Sequence, residues 1–74
     1  MAKYGVVLFN TSSSAMQAEA VLLKAGLAAK MIPTPRELSS DCGLALRFDW
    51  PLRAQVEQLL EKMHVETAGV HGLP

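Results

Sequence analysis

The run Tyr4 to Phe9 (Tyr-Gly-Val-Val-Leu-Phe) is apolar and rich in strand formers, and it stops abruptly at Asn10-Thr11-Ser12-Ser13-Ser14. A strand that ends on such a cluster feeds a helix, because Ser and Thr hydroxyls accept hydrogen bonds from the unpaired amides of a helix's first turn. Ala15, Ala18, Val21, Leu22 and Ala25 then recur at helical spacing, and Gly26 follows as a stop, which predicts a helix over Ser14 to Ala25. Leu27 to Ile32, closed by Pro33, reads as a second strand. Gly43 to Phe48 reads as a third, with Leu44, Leu46 and Phe48 alternating against Ala45 and Arg47. Pro51 suits the first turn of a second helix whose buried stripe is Val56, Leu59, Leu60 and Met63. Val65 to Val70 is the expected last strand, with His71 to Pro74 as a frayed tail.

The order β-α-β-β-α-β, in a chain of 74 residues, leaves room for one domain and one core. It predicts an α+β fold, a ferredoxin-like sandwich: a four-stranded antiparallel sheet with both helices on one face. That topology puts the end of strand one, the start of helix one and the connection between strands two and three at one end of the sheet. The Ser-rich turn and the segment Pro33 to Cys42 become neighbours there. His64, at the end of helix two, belongs to the same end, and His71 to the opposite one.

Composition narrows the function. Seven basic and seven acidic residues balance to a formal charge of zero, which argues against a nucleic-acid or anionic-membrane surface, since both need an excess of Lys and Arg. The apolar stretches are interrupted well short of the ~20 residues of a membrane span. One cysteine makes no internal disulfide and no zinc ribbon, and with no secretory signal it suits a reducing, cytoplasmic setting. No paired carboxylates, phosphate-binding glycine loop, metal-spaced His cluster or Ser-His-Asp set is present, so neither cofactor nor metal is expected. A second copy of the chain could cover a sheet edge or the helix-free face of the sheet, so a homodimer is a reasonable expectation.

The segment Pro33-Thr34-Pro35-Arg36-Glu37-Leu38-Ser39-Ser40-Asp41-Cys42-Gly43 is too long for a minimal hairpin turn, and connections of that kind tend to be functional. Thr34, Pro35 and Glu37 form a capping-box pattern that predicts one or two helical turns. Gly43 would ease the backbone back into a strand. Cys42 is the residue able to carry covalent chemistry, and Arg36 and Arg47 are cations that could approach its thiolate. Ser39 and Ser40, with loop amides, could hold an anion; Asp41 would oppose one. Plain structural roles stand beside these: Cys42 as a small core hydrophobe, Arg36 and Glu37 as a solvated face, Arg47 as the solvent side of a strand, the serines as caps, and His64 as a complement to the helix dipole. Trp50 reads as a strand-end anchor.

Ile32 to Phe48, with its Pro-Thr-Pro-Arg, Ser-Asp-Cys-Gly and Ala-Leu-Arg, closely resembles the signature of the selenium/sulfur carrier protein-like family of small bacterial domains. The similarity extends to Phe9, Ala18-Glu19, Lys24-Ala25-Gly26 and Gly69-Val70. The resemblance implies a carrier rather than a self-sufficient enzyme. Its cysteine, matching Cys42, would hold a persulfide or selenopersulfide between a donor and an acceptor protein. Members often have a histidine before helix one where this chain has Ser13. Against the carrier stands a non-catalytic module of the same fold that binds a small anion or a protein.

Overall fold

The computed structural model describes residues 2–38 and 42–74. The elements follow the expected order: β1 (Tyr4–Leu8), α1 (Ser12–Lys24), β2 (Ala29–Pro33), β3 (Leu44–Asp49), a short 3-10 helix (Trp50–Leu52), α2 (Arg53–Lys62) and β4 (Gly69–Leu73). The strands form one antiparallel sheet in the order β2-β3-β1-β4, which is the ferredoxin-like arrangement.

Side-chain alternation splits the strands between two clusters. Val7, Phe9, Leu46 and Phe48 join Ala15, Ala18 and Leu22 of α1 and Val56 and Leu60 of α2 in the main core, so both helices cover one face. The other face carries no helix, yet Val6, Leu8 and Ala45 are buried on it, with Tyr4, Ile32, Leu38 and Leu73 packed around them. Leu38 reaches this face from the β2–β3 connection. The Arg47 guanidinium lies there too, 4.4 Å from the centre of the Tyr4 ring.

The last strand departs from expectation. Val65 is buried below the end of α2, where its N–H donates to the Leu60 carbonyl at 2.9 Å. Its apolar character therefore serves the helix terminus, and β4 begins at Gly69. Residues 71–73 are strand, not tail: Leu73 pairs with Tyr4 and His71 with Val6. His71 thus stands midway along the edge strand β4 and not at the far end. Proline at the end of β2 has a simple reason. Thr34 N–H donates to the Gly43 carbonyl at 3.0 Å, and that pair continues the β2–β3 register. Pro33, one residue before, then has its missing N–H on the open edge of the sheet, where no ladder bond is lost.

Both helices end in the same motif. At α1, Leu27 N–H donates to the Leu22 carbonyl and Gly26 N–H to Leu23, both at 3.0 Å, with Gly26 at φ 80. At α2 the bonds are Val65 to Leu60 and His64 to Glu61, but the left-handed position is held by His64 at φ 57. A side chain costs about 1–2 kcal/mol in that conformation, partly offset by glycine's looser unfolded state. His64→Gly is therefore expected to stabilise the fold by roughly 0.5–1 kcal/mol in urea denaturation; a lower midpoint would contradict this account. α1 starts two residues earlier than expected, at Ser12: Thr11 is the cap, its Oγ1 accepting from Ser14 N–H at 3.1 Å.

Candidate functional site

The β2–β3 connection is closed at its neck by one residue. Neither Pro33 nor Pro35 has a backbone N–H, so Thr34 supplies the only main-chain donor of that tripeptide. It gives this N–H to the Gly43 carbonyl and its hydroxyl to the Cys42 carbonyl, each at 3.0 Å. The expected capping box does not form: among the described residues Glu37 N–H makes no bond to Thr34, whose hydroxyl donates across the neck instead. The chain makes a single turn instead, closed by Leu38 N–H to the Pro35 carbonyl at 3.0 Å.

Cys42 emerges from this neck with its side chain in the main core, 6% exposed, in the cluster that includes Phe9, Ala15, Leu46 and Val65. Leu44 N–H donates to its Sγ at 3.4 Å. An amide aimed at sulfur stabilises negative charge developing there during a transfer step. The apolar enclosure keeps bulk reagents and water from the thiol, so chemistry at Cys42 requires that the neck open or a partner displace it.

The other candidates divide. Arg36 is exposed, on the turn held by the Leu38 bond. Ser39, Ser40 and Asp41 lie outside the described residues. Gly43 is exposed, its φ is outside the left-handed region, and apart from its two chain neighbours no atom of the described residues lies within 4 Å of where a Cβ would stand. Glycine is thus not needed there for backbone re-entry. Arg47 does not meet the thiol. It lies five residues along β3, about 17 Å away at strand rise, and on the opposite face against Tyr4. Ser13 and His64 are both exposed, and among the described residues no group of His, Cys, Asp and Glu could hold a metal ion. Two participants went unread in the sequence. Thr34 was hidden by its fit to a capping pattern, though the flanking prolines were a usable signal; the Leu44 amide has no sequence signal at all.

Residues 4–72 match the family model described as Putative Se/S carrier protein-like. The chain belongs to this family. The match spans β1 to β3, both helices, the whole Cys42 neck and all but the last residue of β4. No curated protein and no solved structure matches the chain.

Proposed function

We propose that the chain is a sulfur or selenium carrier that loads its cargo on Cys42 and hands it to an acceptor protein. The observation that carries this reading is the family match across a chain whose one cysteine sits at a tied neck. In loading, the Cys42 thiolate attacks the outer sulfur of a donor persulfide, R–S–SH. The donor's S–S bond breaks, R–S⁻ leaves and takes up the proton that Cys42 gave to solvent, and Cys42–S–SH remains. The exchange is redox-neutral, and a selenopersulfide donor transfers selenium in the same way. Unloading repeats the step with an acceptor thiolate as nucleophile. Leu44 N–H steadies the sulfur anion, and the donor reaches the thiol when the neck opens. Arg36 is the cation of the connection available to a donor's anionic group. A lone thiol handling persulfide fits the cytoplasm, where thiols stay reduced.

Incubation with a cysteine desulfurase and cysteine should add the mass of one sulfur atom to the intact protein, removable by reductant and absent in Cys42→Ser. An unmodified wild type, beside an established carrier that labels in the same tube, would overturn the proposal. One observation favours the second reading, a small-anion or protein-binding module. Cys42 belongs to the buried core, as an inert packing cysteine would. In that case Cys42→Ser leaves binding intact.

A further inference from the structure

A second site lies on the helix-free face, independent of the thiol. Lys30 of β2 and Arg47 of β3 are direct cross-strand partners, and β-carbons so paired stand roughly 5 Å apart. Both side chains are exposed. Among the described residues the sole ion pair joins Arg53 to Glu57, so no carboxylate of these residues lies within ion-pair distance of either cation. Like charges directly opposite destabilise a strand pair. A lysine on an edge strand has a use of its own in discouraging edge-to-edge aggregation, and the Tyr4 ring accounts for where Arg47 lies. Neither explains two cations placed face to face, one of them on an inner strand. Places where a sequence breaks a local rule in this way are expected to be functional.

The pair borders an open concavity of about 210 Å³, lined by Ala28, Ala29, Lys30, Arg47, Phe48 and Asp49. Asp49 is two residues beyond Arg47 and is the acidic group of that lining. From this we infer that Lys30 and Arg47 form a binding site for a small, doubly charged oxyanion of the phosphate or sulfate class. Its oxygens accept from the Lys30 ammonium and the Arg47 guanidinium, the latter held in place by Tyr4 before the anion arrives. The anion relieves the repulsion that the empty pair suffers. Two charges on the ligand match the two cations, and Asp49, in the same lining, opposes the anion and limits its affinity.

Thermal unfolding of the full chain in phosphate, sulfate and chloride at matched ionic strength tests the site. The wild type should gain Tm in phosphate and sulfate beyond chloride. Lys30→Thr should melt higher than wild type in chloride, because the repulsion is gone, and should lose that increment. Its apparent phosphate affinity should fall roughly tenfold, as for one charged hydrogen bond. Amide shift mapping with phosphate should centre on residues 28–30 and 47–49. Equal increments in chloride and phosphate, an increment retained by Lys30→Thr, or shifts centred on the Cys42 neck would each overturn the inference.

Discussion

Gly5→Ala should destabilise the protein by about 2–3 kcal/mol, the upper part of the range for forcing extra volume into a packed core. A β-carbon at this position would stand 2.5 Å from Cζ and 2.9 Å from Cε1 of Phe48, and 2.8 Å from Cε3 of Trp50. Neither ring can easily give way. Phe48 is 2% exposed in the main core, and the two rings stack with centroids 6.2 Å apart and planes 21° apart. Gly72, paired with Gly5 across β1 and β4, is the natural control. Its nearest obstacles are the Ala2 side chain at 2.8 Å and the Trp50 rim at 3.1 Å. Ala2 lies at the start of the chain and can move, so Gly72→Ala should cost less. Urea denaturation of both variants checks the ranking. A double variant of Gly5→Ala with Phe48→Leu should lose less than the sum of its parts, since the second change removes the atoms that the first one strikes. Additive losses would mean that the clash lies elsewhere. A loss of this size matters in a domain of this length, whose entire stability is on the order of 4–11 kcal/mol.

The second large effect concerns access to the thiol. Alkylation of Cys42 by iodoacetamide should run at least roughly a hundredfold slower in native buffer than in urea, because a 6% exposed side chain is reached only through local opening. Thr34→Val keeps the shape and removes the hydroxyl that ties the Cys42 carbonyl. A net hydrogen bond of about 1–1.5 kcal/mol translates into roughly a tenfold faster native reaction. Thr34→Ser, which keeps the hydroxyl, should react near the wild-type rate. Native and unfolded rates that agree would show the thiol already open, and an unchanged rate in Thr34→Val would remove Thr34 from the control of access. The global unfolding midpoint of each variant, measured alongside, separates opening of the neck from loss of the whole fold.

The fold was legible because each element carries its own local signal: the Tyr4–Phe9 run, the Ser-rich cap, Gly26, the alternation of Leu44 to Phe48, and Pro51. The order of those elements nearly dictates the sheet. The end of the chain misled because Val65 to Val70 is apolar for two separate reasons, the close of α2 and the opening of β4, and sequence alone merges them. At the site, the position of Cys42 followed from topology, but its burial did not. Its neighbours Ser, Asp and Gly suggest a wet loop, while the neck bonds of Thr34 turn the side chain inward. Arg47 looked available to the thiol because it is near in sequence. The period-2 pleat sends it to the other face, where it meets Lys30 instead.

The proline–threonine–proline neck has one more consequence. Prolines carry no exchangeable amide hydrogen, so the Thr34 amide stands alone in its tripeptide, with no neighbouring main-chain proton to share or blur its behaviour. Its replacement by deuterium can occur only when the bond to Gly43 lets go. One resolved resonance is therefore a clock for the event that uncovers Cys42, readable in the unmodified protein without any reagent touching the sulfur.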